Sequence, residues 1–247
     1  MKLDEINSRI KQCKKCQLHK TRTHSLPGEG QKHARIMLIA TAPGEKEDKE
    51  GRMFIGPSGS VLNNLLQYAG IERTKIYMTN LIKCMLPRYR KPEDNEIKAC
   101  SSYLELEIEI IAPDVLIPLG YYATRYIFNK YGLSILPKKE FSQHYAKLIW
   151  TGKAKIFPLQ HPAALLHRQT LQDIMKLNYR KLKILSENCK WYSICPIKEL
   201  YECGKLERKW IELYCKGDWE SCVRYHKEEN GVPHSDNMLP DGTFLKD

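Results

Sequence analysis

The 247-residue chain has no apolar run approaching the 18 or so consecutive residues that a bilayer span needs. With a mean hydropathy of −0.51, that excludes a membrane-embedded protein of the helical kind. The opening "MKLDEINSRIKQCKKC" lacks the apolar stretch of a signal peptide, so the chain is expected to act in the cytoplasm. Internal repeats and low-complexity tracts are also missing, which leaves an ordinary globular chain with room for one core and a small appendage. Acidic residues are scarce: 29 Asp and Glu face 40 Lys and Arg, a net charge of +11. The imbalance is uneven. Residues 187–247 carry nine Lys and Arg against twelve Asp and Glu, which leaves 31 against 17 in residues 1–186. A basic body points to a polyanion partner, nucleic acid first, or to a generally Lys-rich chain. Cysteine is not scarce. Nine of them, an odd number, in a reducing compartment argue against a disulfide scaffold and for metal or cluster ligation.

The first fifteen residues read as a short amphipathic helix with Leu3, Ile6 and Ile10 on one face. "RIMLIA" (35–40) reads as a buried strand and is followed by a long polar loop, "TAPGEKEDKEGRMFIGPSG". "SVLNNLLQYAG" has apolar residues at 61, 62, 65, 66 and 69 and closes on Gly70, a helix with a C-terminal glycine. The alternation continues with strands at 75–80 and 114–120 and helices from Pro92 and from Tyr121. Strands are expected in 146–150 and 154–159, then a last helix over about 170–186. This order predicts a three-layer α/β/α domain over residues 1–186, with a mostly parallel sheet of four or slightly more strands. Ligands bind at the C-terminal ends of such strands, which singles out Thr41–Pro43, Asn80, Gly120 and His161. Residues 187–247 hold five cysteines and three of the four Trp, and read as a separate cysteine-rich appendage too small for a large core.

Cys13 and Cys16 form a C-x-x-C near the N-terminus, with Cys84 after a strand and Cys100 early in a helix. Four thiolates suit tetrahedral zinc or an iron–sulfur cluster, and spacing does not separate the two. In the tail, Cys195, Cys203, Cys215 and Cys222 make a candidate second site for a cluster or zinc, with Cys189 left over.

Five separated motifs, "APGEKEDKEGRMFIGPSGSVLNNLL", "YMTNLIKC", "EIKAC", "PLG" and "HPAALLH", together resemble the iron–sulfur uracil-DNA glycosylases of family 4 over about residues 1–185. The resemblance implies excision of uracil or another deaminated base from DNA, after the base is flipped into a pocket. It implies a [4Fe–4S] cluster on Cys13, Cys16, Cys84 and Cys100. It places Phe54 against the uracil ring and Asn80 on the uracil N3–H and O4, with the backbone of Ala42 and Gly44 completing the pocket. His161 would stabilise the departing uracil anion. Leu165 or Leu166 would serve as an apolar wedge, while His167, Arg168, Lys83, Arg88, Arg90 and Lys91 would meet DNA phosphates. The chain is expected to work as a monomer.

The motif departs from the family in two places. Ala40-Thr41-Ala42-Pro43-Gly44 puts Thr41 where the family carries a Glu near the scissile bond, and Met53 replaces a Pro before Phe54. Thr41 is thus the expected water-positioning residue. The alternative that follows is an iron–sulfur protein that binds or modifies nucleic acid on this scaffold with little uracil excision.

Overall fold

The computed structural model describes residues 2–245. Its centre is a strand, β2 (Ile36–Ala40), that is apolar and buried at all five positions. A strand with helices on both faces has no reason to alternate apolar with polar. Its side chains still alternate in direction. Ile36, Leu38 and Ala40 join one core with Leu62, Leu65, Met175, Tyr179 and Leu182. Met37 and Ile39 join a second core with Leu104, Ile111, Ile127 and Phe128. The first core lies under α3 (Pro57–Tyr68) and α7 (Gln172–Ser186). The second lies under α4 (Asp94–Ile111) and α5 (Gly120–Lys130). The α/β/α sandwich expected from the sequence follows from these two faces of one strand.

The sheet has six strands. β2 pairs in parallel with β3 (Tyr77–Asn80) on one side and β4 (Val115–Pro118) on the other, and β4 pairs in parallel with β6 (Lys155–Ile156). Two-residue strands close both edges in antiparallel fashion: β1 (Glu29–Gly30) on β3 and β5 (Ile149–Trp150) on β6. The expected strands at 146–150 and 154–159 shorten to this β5–β6 hairpin. The N-terminal helix α1 (Leu3–Lys11) buries Leu3, Ile6 and Ile10 as expected, and Ile6 and Ile10 pack with Cys100 and Tyr103 of α4.

The polar loop after β2 is a correction. It contains a helix, α2 (Glu45–Glu50), made entirely of charged residues. Periodicity could not reveal it, because α2 is held by carboxylates rather than by an apolar face. Glu47 and Asp48 are buried. Asp48 accepts the backbone amides of Thr23 (2.8 Å) and His24 (3.4 Å).

After α7 the chain forms α8 (Pro196–Glu202), a short α9 (Arg208–Trp210) that runs into a π-type turn over Ile211–Cys215, and α10 (Val223–Glu229). Ile197, Leu206, Ile211, Cys215 and Leu239 form a buried cluster of their own. This segment rests on the β5–β6 edge. The buried Lys155 ammonium lies 3.2 Å from Glu212 and donates to the Lys216 carbonyl (2.6 Å), while Arg208 covers the Trp150 ring at 5.5 Å. Among the described residues, no helix is long and apolar enough to cross a membrane.

Candidate active site and cysteine clusters

At the C-terminal ends of β2 and β3 the chain leaves a small, partly open pocket. Its walls are Ala40, Ala42, Pro43, Gly44, Glu47, Met53, Phe54, Ser58, Asn80 and His161. The wall residues come from the end of β2 and the segment after it, from the end of β3 and from the segment after β6, because these parallel strands all end at the same edge of the sheet.

His161 follows the single bridge that pairs Leu159 with Leu119. Its Nδ1 lies 3.1 Å from the Ala163 amide, which can only donate. Nδ1 is therefore the acceptor, and the proton of the neutral ring sits on Nε2. Burial pushes the imidazole pKa down to about 4, against an opposing pull from the Glu47 charge. At neutral pH His161 thus offers the pocket an uncharged N–H donor. Gly120 makes room for it: a Cβ there would stand 3.2 Å from the His161 Cβ, and its φ of +77° suits glycine.

Phe54 occupies a left-handed backbone conformation, φ 51°, which is uncommon for an aromatic residue. Three contacts hold it. Glu47 Oε1 accepts the amides of Ile55 (3.0 Å) and Gly56 (2.8 Å). Arg73 donates to the Phe54 carbonyl (3.1 Å), to the Met53 carbonyl and to Asn63 Oδ1 (2.8 Å). Gly59 presses against the Phe54 carbonyl, where a Cβ would come within 2.0 Å of the oxygen. The Phe54 and His161 rings then lie with centroids 6.5 Å apart. Asn80, at the end of β3, is buried, and its Nδ2 donates to the Met53 sulfur (3.2 Å).

Cys13, Cys16, Cys84 and Cys100 line a second, small cavity. Donors already face two of the sulfurs: Arg22 Nη1 reaches Cys84 Sγ at 2.9 Å and the Lys83 amide reaches Cys100 Sγ at 3.2 Å. Burial raises the pKa of both thiols, of Cys100 to about 11.

Residues 27–183 match the Uracil DNA glycosylase superfamily. The chain belongs to that superfamily. It is also 39% identical over 214 residues to the Type-4 uracil-DNA glycosylase of Sulfurisphaera tokodaii, covering 84% of this chain and 93% of that protein. The Saccharolobus solfataricus Type-4 enzyme is 40% identical over 183 residues, 73% of this chain and 85% of the relative. The Archaeoglobus fulgidus Type-4 enzyme is 36% identical over 181 residues, 73% and 91%.

Within this uracil-DNA glycosylase fold, the pocket brings together Ala42, Gly44, Phe54, Asn80 and His161, all expected from the sequence. Thr41 lies between two wall residues but is not itself part of the wall. Its carbonyl accepts the Ile82 amide (2.9 Å). The carboxylate on the wall is Glu47. Arg73, Met53 and Gly59 were not foreseen as supports of the site. An Arg seen alone in sequence carries no signal of the carbonyls it will reach.

Lys83 is a correction. It is 1% exposed, not a phosphate contact. Its ammonium lies 2.6 Å from Glu107 Oε2, 2.6 Å from Thr79 Oγ1 and 2.8 Å from the Asn80 carbonyl. Arg90 is half-buried and grips Glu96 with both terminal nitrogens. Arg88 and Lys91 are exposed, as is Tyr89 (71%), whose hydroxyl reaches Glu45 at 3.4 Å. Helix α6 (Ala164–His167) follows His161 and presents Leu166, 47% exposed, with His167 and Arg168 exposed beside it and Leu165 packed inward on the first core.

The tail set is corrected too. Cys195, Cys215 and Cys222 share a cavity wall, but their fourth companion is Cys189, not Cys203. The Cys189 amide donates to the Cys215 carbonyl (2.8 Å), which draws the two residues together. Cys203 caps the far end of α8 and is exposed.

Proposed function

We propose that the chain excises uracil from DNA by hydrolysing the N-glycosidic bond, acting as a monomer whose pocket is built from a single chain. The observation that carries this reading is the meeting of Phe54, Asn80 and His161 in one pocket, with His161 fixed in its Nε2–H tautomer. A flipped uracil stacks on Phe54 and pairs through the Asn80 carboxamide, which offers one acceptor and two donors. The backbone around Ala42–Gly44 closes the pocket. As the bond to C1′ breaks, the electron pair passes to uracil and negative charge grows on O2. The neutral His161 N–H donates to it. Donors aimed at developing charge are worth roughly 10²–10³-fold each. Water adds hydroxide to C1′ and its proton ends on uracil N1. Glu47, the acid on the pocket wall, supplies the negative charge that offsets the cationic sugar, so the hydroxyl of Thr41 is not required to. The binding-only alternative has no use for a donor of fixed tautomer beside the Phe54 ring and the Asn80 carboxamide.

Leu166 serves as the wedge left by the flipped base, with Arg168, His167, Arg88 and Lys91 on the phosphates. Cys13, Cys16, Cys84 and Cys100 hold a [4Fe–4S] cluster. Four thiols on one cavity wall with N–H donors already facing two of them fit such a group. Bound there, it ties the N-terminal segment, the loop after β3 and α4 into one unit.

The test is incubation of the full chain with an end-labelled single-stranded oligonucleotide carrying one uracil, followed by alkaline cleavage of abasic sites. Strand breakage at the uracil, and none at thymine in the matched control, is expected. An intact uracil strand that the protein nonetheless binds would point to the alternative.

A further inference from the structure

Among the described residues, four buried side-chain nitrogen or oxygen atoms have no hydrogen-bond partner, and three of them sit together in the C-terminal segment: Trp219 Nε1, Arg224 Nε and Arg224 Nη2. Both residues line one cavity of about 100 Å³, and that same wall carries Cys189, Cys195, Cys215 and Cys222. Arg224 is 2% exposed. Its Nη1 is satisfied by the carbonyls of Ser235 (2.9 Å), Asp236 (3.2 Å) and Met238 (2.8 Å). The rest of its guanidinium faces no acceptor, and a guanidinium does not shed its proton. Burying a cation and its N–H groups without acceptors is costly, and Glu228, the carboxylate on the same wall, has its Oε1 engaged by His234 (2.9 Å) and makes no hydrogen bond with Arg224. The cavity is therefore built around something anionic that accepts hydrogen bonds.

The four cysteines say what that is. All are free thiols. The Cys189 amide donates to the Cys215 carbonyl (2.8 Å), which ties two of the four residues together through the backbone. A lone zinc ion draws four sulfurs to about 2.3 Å from one point and presents no acceptor but those sulfurs. An iron–sulfur cluster spreads its four thiolates around a larger body and adds sulfides, which accept hydrogen bonds. The surrounding segment has a buried cluster of only five residues, for which such a staple is physically reasonable.

We infer that Cys189, Cys195, Cys215 and Cys222 hold a second [4Fe–4S] cluster, with Arg224 and Trp219 donating to its sulfurs. Cys203 takes no part. The inference is independent of whether the chain excises uracil, since its readout is metal content.

The experiment is iron, sulfide and zinc analysis of the full chain purified without oxygen. About eight irons and eight sulfides per chain are expected with both sites filled, and about four in Cys84→Ser and in Cys189→Ser. Cys203→Ser should keep about eight. The wild-type count needs no variant to fold. About four irons in the wild type, or about four irons and one zinc, would overturn the inference. So would a Cys203→Ser protein that loses iron as Cys189→Ser does.

Discussion

The Phe54 ring and the His161 imidazole stand 6.5 Å apart, centroid to centroid, with their planes inclined by 33°. One supplies a flat apolar face and the other an N–H donor, so a planar base held by the first is within reach of the second. Both positions depend on backbone features that a side-chain inventory would overlook: the left-handed turn at Phe54 and the close approach of Gly120.

Stacking on Phe54 leads to the first prediction. Base–aromatic stacking is worth about 1–3 kcal/mol. Phe54→Ala should therefore lower kcat/KM on a uracil oligonucleotide by roughly 5- to 150-fold. Gly59→Ala, which leaves every pocket side chain in place but collides with the Phe54 carbonyl, should also reduce it. Single-turnover kinetics on both variants would check this, and an unimpaired Gly59→Ala enzyme would contradict the role given to the turn.

The depressed pKa of His161 has a signed consequence. The folded value of about 4 lies below the ordinary value near 6.5. As pH falls, the unfolded chain takes up this proton first, so the stability that the neutral ring contributes is intact above about pH 6.5 and is lost between about 6.5 and 4. The His161 donor itself persists through that window, so its contribution to excision should hold down to about pH 5. Nitrogen-15 NMR of labelled imidazole should show His161 protonated on Nε2 at neutral pH and titrating near 4. A midpoint near 6.5 would contradict the assignment.

Lys83 separates a structural role from a DNA-binding one. Removing one partner of a buried ion pair costs about 3–5 kcal/mol, because the other charge is left unpaired. Lys83→Met should lower stability in urea unfolding by that order, and the double variant Lys83→Met/Glu107→Gln should recover part of it. The salt dependence of DNA binding by folded Lys83→Met should match the wild type.

Arg168 should behave in the opposite way. It is exposed beside the pocket, so Arg168→Ala should leave stability unchanged while weakening binding to uracil-bearing and uracil-free strands alike. The slope of log K against log salt should become shallower by about 1. An unchanged slope would remove Arg168 from the phosphate contacts.

The strands at 36–40, 77–80 and 115–118 were legible because each is a short apolar run, and a buried parallel strand has few other ways to read. Asn80 and His161 were legible as sites because they end such strands. Helix α2 was not, since its burial rests on Glu47 and Asp48 accepting backbone amides, which periodicity does not register. Lys83 looked like one more basic residue in a basic loop because its partner, Glu107, is 24 residues away in another helix. Cys203 and Cys189 were indistinguishable by spacing. What separates them is the hydrogen bond from Cys189 to the Cys215 backbone.

The central claim is that this pocket excises uracil by reading it through Asn80. The most direct measurement is the single-turnover rate of alkali-labile site formation at one uracil, for wild type and for Asn80→Ala, with binding to uracil-free strand measured alongside. The account predicts excision by the wild type, its reduction by roughly two orders of magnitude or more in the variant, and equal binding by both. Excision that survives intact in Asn80→Ala, or no excision by a wild-type protein that binds the strand, would contradict it.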